Sequence, residues 1–216
     1  MRFESSKAYC MSSPQSSVAF GAPGIEPRWT SSAKEGVGTA YHTSCRVWFT
    51  LSHGIVNEIY YPYVDKPNTR DFQFLISDGE TFCQEEKRDL NHEIEYPERD
   101  CLFYRLTNSD PGGRYRLVKH VLTDPHGSVL LVQTKLEVFD ESLRGKLHLY
   151  ALLAPHLGGF GTGNSGWCSE IGDNKLLHAQ RQSVHLVMAC STGFLRRSVG
   201  YVGFSDGWQD VMSGSQ

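Results

Sequence analysis

Residues 130–138 read Leu130-Leu131-Val132-Gln133-Thr134-Lys135-Leu136-Glu137-Val138, and the reading of this stretch decides the fold class. Successive side chains of an extended strand point to opposite faces, so a period of two separates buried positions from wetted ones. Leu130, Val132, Thr134, Leu136 and Val138 fall on one face, and Leu131, Gln133, Lys135 and Glu137 on the other. Such alternation specifies a half-buried strand.

Outward from it, alternating or β-branched stretches occupy residues 46–51, 55–61, 70–77, 102–107, 115–123, 146–154, 175–180 and 184–190. The connections carry turn residues: Ser77-Asp78-Gly79, Asn108-Ser109-Asp110-Pro111-Gly112-Gly113, Asp124-Pro125-His126-Gly127 and Gly172-Asp173-Asn174. Glycine and asparagine tolerate positive φ and proline fixes φ, so each connection can reverse the chain. No amphipathic helix of useful length competes. The number and spacing of strands predict an all-β antiparallel sandwich. Residues 1–22 hold Ser, Pro and Gln without a period that buries a face, and are expected to form a flexible leader ahead of one domain over 23–216. The largest irregular feature expected is a glycine-rich loop over residues 155–168, with no Gly-Lys-Ser/Thr to cradle a phosphate.

The 216 residues can bury a substantial core. A net charge of −3 gives no electrostatic footprint for a nucleic acid or an anionic membrane, and a neutral polar partner fits better. Glu85-Glu86 is followed at once by Lys87-Arg88, a run that reads as a solvated face. The 6 cysteines show no CxxC spacing and read as reduced thiols, and no signal peptide is visible, so a cytoplasmic location is expected.

Chemistry-bearing residues are plentiful, but few patterns among them are specific. Inverting glycoside hydrolysis needs two carboxyl groups about 6.5–9.5 Å apart. Glu58, Asp65, Asp71, Glu170, Asp173, Asp206 and Asp210 lie near aromatic residues, while Arg70-Asp71 reads as a structural ion pair. The 9 histidines form no HxH or HExxH spacing, so no metal site is expected. Among them His53 stands out, at a turn beside Trp48 and Tyr60. Aromatic faces stack on pyranose rings while neighbouring amides and carboxylates bond hydroxyls. Trp29, Trp48, Trp167 and Trp208, with Tyr60, Tyr61 and Tyr63, are the candidates; the plainer reading places them in the core or a domain interface.

From Ala19-Phe20-Gly21-Ala22-Pro23-Gly24 through Ile25-Glu26-Pro27-Arg28-Trp29-Thr30 the chain resembles the amino-terminal domain of bacterial and archaeal glucoamylases and glucodextranases of glycoside hydrolase family 15. The resemblance continues through Ser44-Cys45-Arg46-Val47-Trp48-Phe49-Thr50-Leu51-Ser52-His53-Gly54, Ile55-Val56-Asn57-Glu58-Ile59-Tyr60-Tyr61-Pro62 and Arg70-Asp71. Leu153-Ala154-Pro155-His156, Asn164-Ser165-Gly166-Trp167 and Gly200-Tyr201-Val202-Gly203-Phe204-Ser205-Asp206-Gly207-Trp208-Gln209-Asp210 extend it almost to the end. It implies a galactose mutarotase-like super-β-sandwich packed beside a catalytic (α/α)6 barrel. Both catalytic carboxylates belong to that barrel, so no catalytic residue is expected in this chain. The family's domain continues with further strands, which leaves the sandwich expected to be truncated at its carboxyl end.

The resemblance therefore predicts a non-catalytic domain that braces the barrel and contributes to contact with an α-glucan or oligosaccharide. Residues expected at the substrate or the barrel are Trp48, His53, Glu58, Tyr61, Asn164, Trp167, Asp206 and Trp208, carried by a 48–62 hairpin and a 164–167 loop. No cofactor is expected, with calcium open for the parent enzyme. The rival readings are an independent carbohydrate-binding module and an aldose epimerase, the latter from fold alone.

Overall fold

The computed structural model describes residues 19–30 and 32–213; residues 1–18, most of the expected leader, lie outside the described residues. The chain runs β1 (Gly36–Thr39), β2 (Trp48–Ser52), β3 (Ile55–Tyr60), β4 (Thr69–Ser77) and β5 (Cys83–Glu85), then a single helical turn, α1 (Glu86–Asp89). It continues through β6 (Asn91–Glu95), β7 (Tyr104–Ser109), β8 (Tyr115–Thr123), β9 (Leu130–Val138) and β10 (His148–Pro155). A three-strand meander follows, β11 (Ser165–Ile171), β12 (Asn174–Arg181) and β13 (Val184–Ala189), and then α2 (Gly207–Met212).

Three antiparallel sheets result. The first has the order β1-β2-β3-β4-β10 with β5 also on β4; the second is β6-β7-β8-β9; the third is β11-β12-β13. The expected all-β sandwich is therefore present: the first two sheets pack face to face. Between them lie two apolar clusters, one of Phe49, Leu51, Val56, Tyr104, Leu106 and Val121, the other of Phe74, Ile76, Leu90, Tyr115 and Leu117. The alternation read in residues 130–138 is realised, since Leu130 and Val132 pack against the first cluster and Leu136 against the second.

One polar knot divides these clusters. Lys119 occupies a core-facing position of β8 between Leu117 and Val121, and its Nζ reaches Glu86 Oε1 at 2.5 Å with both side chains sealed from water. Lys119 also donates to the Gly54 carbonyl at 2.8 Å. Asn108 donates to the same carbonyl and to Glu86, and Glu86 accepts from the backbone N–H of Phe74. The run 85–88 is thus a solvated face only in part: Glu86 is buried while Arg88 stays exposed. Glu86 faces the core because α1 carries the chain from the first sheet to the second across the sandwich.

Close packing dictates residue size in two places. Gly38 pairs with Phe49, and a Cβ there would stand 2.2 Å from the ring. Gly54 (φ 71°) takes the left-handed conformation that closes the β2–β3 turn, where Asn108 leaves no room for a side chain.

The expected irregular loop over 155–168 is shorter in the structure. Pro155 ends β10, a 3-10 turn spans Leu157–Gly159, and β11 begins at Ser165. Asn68 ties this turn to the β3–β4 loop: its side-chain amide donates to the carbonyls of Tyr61 and Lys66, and its Oδ1 accepts from Gly158 N–H. Its backbone carbonyl accepts from His156 N–H. The five described cysteines (Cys45, Cys83, Cys101, Cys168 and Cys190) are free thiols.

Candidate functional site

Phe72, Phe74 and Ile76 of β4 pack against the core clusters, so the alternate residues Asp71, Gln73 and Ser77 point to the outer face of the first sheet. That face is polar and buried. Thr50, Ser52, Asn57, Glu58, Thr69, Asp71 and Gln73 are all sealed from solvent there or nearly so. A bulge concentrates them: Phe49 pairs with Ile59 and Leu51 with Val56, so Asn57 and Glu58 together oppose Thr50. Glu58 accepts from the Thr50 hydroxyl at 2.5 Å and from Lys34 Nζ, and Asn57 donates to the Ala33 carbonyl. The segment ahead of β1 therefore lies against this outer face.

At one end the face opens into a cleft of about 460 Å³ walled by Trp29, Thr30, Arg70, Asp71, Glu85, Lys87 and Arg88. Trp29 is half exposed, and it meets the buried His156 ring edge to face at 4.7 Å. Arg70 and Asp71 form a fork of two hydrogen bonds at 2.9 and 3.3 Å. Lys87 donates to the Thr30 hydroxyl, and Gln73 donates to Glu85 at 2.7 Å. Arg88 binds Glu85 and Asp89 while its guanidinium lies over the Trp208 ring at 5.2 Å. The hydrogen bond from Arg88 holds the Asp89 carboxyl below the usual carboxylate range. Burial, reinforced by Arg70, pushes His156 below the usual histidine value, so its ring is neutral at pH 7.

Two buried atoms behind the wall have no hydrogen-bond partner: Gln73 Oε1, one bond behind Glu85, and His156 Nδ1, beneath Trp29.

The residues expected from sequence are dispersed. Of the aromatic and carboxylate candidates, Trp29 and Asp71 wall the cleft, and Trp208 reaches its rim through Arg88. Trp48 pairs with Tyr60 on β2 and β3, and Glu58 is committed to Thr50 and Lys34. His53 sits at the hairpin tip with φ 52°, its N–H donated to Glu35 and its ring beside Ser52 Oγ. Tyr61 is exposed, and its carbonyl accepts from Asn68. Asn164 braces the 3-10 turn, accepting from Leu157 N–H and donating to the Phe160 carbonyl. Asp206 caps α2 by accepting from Gln209 N–H. Trp167 lies not in a loop but in β11, because its alternation with Cys168 and Ser169 pairs with β12. Its ring stacks on His178 at 4.9 Å and His185 at 5.3 Å. His178 is hydrogen-bonded to Ser169 Oγ at 2.6 Å and to His185 at 3.1 Å. Burial and the neighbouring His185 push His178 below the usual value.

The ion pair read in Arg70-Asp71 is present on this wall. Glu85, Lys87 and Arg88 were not among the expected residues, because their positions on β5 and α1 depend on sheet order, which no local pattern states.

The geometry can be set beside known proteins. The family described as glucodextranase, domain N, matches residues 19–216. A glucoamylase of Clostridium sp. (strain G0005) is 33% identical over 201 residues, which is 92% of this chain and 28% of that protein. The crystal structure of a bacterial glucoamylase complexed with acarbose superposes with a TM-score of 0.88 at 33% identity, over 92% of this chain and 29% of that one. The chain thus spans less than a third of the length of each.

Proposed function

The chain belongs to the glucodextranase domain N family, and from that premise we propose that it is the non-catalytic β-sandwich domain of an α-glucan exo-hydrolase of glycoside hydrolase family 15. In that role it braces a catalytic (α/α)6 barrel and supplies part of the carbohydrate contact surface. The observation that carries this reading is the lopsided coverage, nearly all of this chain against 28% of the glucoamylase. The remaining length of such an enzyme is where its bond-breaking machinery is expected.

The carboxylates support the same division. A general acid and base must face each other across a sugar with room for water. Glu58 is held by Thr50 and Lys34, Asp71 by Arg70, Glu170 by Arg197, and Asp65 by Lys66. Asp206 caps a helix, and Asp210 accepts from Ser198.

The test has two arms. Purified chain is expected to release no glucose from starch or dextran. In the full-length parent, Trp48→Ala and Trp167→Ala are expected to lower the thermal midpoint or turnover. Glucose release by the chain itself, or unchanged stability and turnover in both variants, overturns the proposal.

A further inference from the structure

In the third sheet Trp167 pairs with His178 and His178 with Val187, and residues two apart on a strand share a side. One face therefore carries Trp167, Ser169, His178, His185 and Val187. Three rings crowd there: the indole of Trp167 stacks on His178 at an interplanar angle of 1° and on His185 at 24°, and the two imidazole centroids are 5.2 Å apart. His178 Nδ1 meets His185 Nε2 at 3.1 Å, while His178 Nε2 meets Ser169 Oγ at 2.6 Å. Both ring nitrogens of His178 are thus occupied, and the residue is only 3% exposed. We propose that this trio is a proton-operated latch: up to one extra proton on the histidine pair keeps the rings bound, and a second parts them and frees the Trp167 indole. The device does not depend on the carbohydrate reading above.

The supply of donors and acceptors decides this. A neutral imidazole has one N–H and one acceptor nitrogen, whereas an imidazolium has two N–H groups and no acceptor. In the neutral pair one ring donates across the contact and the other accepts. One extra proton leaves that bond intact: the exposed His185 becomes the imidazolium and donates through Nε2, and His178 accepts at Nδ1 and donates through Nε2 to the Ser169 hydroxyl. A second puts N–H on both sides of the contact, two donors and two like charges with no acceptor between them. Burial, and after it the charge on His185, accordingly push His178 below the usual histidine value. The other charged groups around the meander are turned elsewhere. Alternation puts Cys168, Glu170, Lys175 and Arg181 on the opposite face, where Glu170 binds Arg197 and the Arg181 guanidinium lies over Phe160. Asp173 lies in the β11–β12 turn, and His156, at the start of the 3-10 turn that packs on β12 and β13, meets Trp29.

The test is an acid titration of the whole chain, labelled with nitrogen-15 at histidine and followed by ring-nitrogen NMR together with tryptophan emission. His178 and His185 are expected to titrate in coupled steps, and the emission is expected to shift to the red with the later step, a shift lost in Trp167→Phe. In His185→Gln the introduced amide accepts from a protonated His178, so His178 is expected to bind its proton about tenfold more tightly, a rise of one pH unit, once the like charge is gone. The emission shift is expected to vanish in that variant. Circular dichroism over the same range is expected to show the strands intact. Should His185→Gln fail to fold, the coupling in the unaltered chain and the emission of Trp167→Phe decide. Independent titration of the two histidines, an emission shift unchanged in Trp167→Phe, proton binding by His178 unmoved in folded His185→Gln, or loss of the strand signal at the same step overturns the latch.

Discussion

Lys119 Nζ lies 2.5 Å from Glu86 Oε1 at the centre of the sandwich, with no measurable water access to either side chain beyond 2%. Burial pulls the Lys119 ammonium below its usual range, opposed by the adjacent carboxylate. Removing one partner strands the other as an uncompensated buried charge, a loss of about 3–5 kcal/mol. Lys119→Met is therefore expected to lower the urea-derived stability by that amount. Combining it with Glu86→Gln is expected to cost less than the two single changes summed, because the double variant holds no buried charge. Additive losses would show that the two side chains are not coupled.

Gly38 sits under the Phe49 ring with no space for a methyl group. Gly38→Ala is expected to destabilise the domain by about 1–3 kcal/mol, the usual range for overpacking. Gly127→Ala is the control, since the nearest atom to its new Cβ lies 3.9 Å away; a change within about 0.5 kcal/mol is expected. Equal midpoints for the two variants in urea titrations would contradict the packing.

His156 and His178 are both held below the usual histidine value, chiefly by burial. The unfolded chain takes up protons at these positions near pH 6.5, whereas the folded chain resists until the pH is lower. Between those limits the unfolded state binds more protons, so stability rises with pH and falls on acidification. The urea midpoint is expected to be level from pH 8 to about pH 7 and to decline below about pH 6.5. His178→Asn is expected to flatten part of that decline. Carboxylates with depressed values, such as Asp89 and Asp140, act in the same direction but only near and below about pH 4.

Asp206 accepts from Gln209 N–H and Gly203 N–H, closing the start of α2. Asp206→Ala is expected to cost about 1 kcal/mol, and Asp206→Asn less, because asparagine also caps well. Thermal midpoints that rank the two variants in the opposite order would remove the capping role.

The strands with clean alternation are legible in the sequence: β8 and β9 span the residues expected from period alone. Shorter strands are not. β1 reads Gly-Val-Gly-Thr and β5 has three residues, too few for a period to register, and both are strands because β2 and β4 offer them hydrogen bonds. β11 was hidden by the glycines around it, since Trp167, Cys168 and Ser169 look like loop residues until β12 pairs with them. The core lysine did leave a trace: Lys119 shares the parity of Tyr115, Leu117 and Val121, a charge where the pattern demands an apolar group. The cleft left less: Trp29 and the Arg70-Asp71 pair stood out singly, but sheet order alone brings them beside Glu85, Lys87 and Arg88.

With one side chain and one carbonyl Asn68 grips Tyr61, Lys66, His156 and Gly158. The projecting β3–β4 loop, with Tyr63 on its exposed crest, and the turn leading into the third sheet are consequently fastened together at a single residue, so whatever loosens Asn68 releases both.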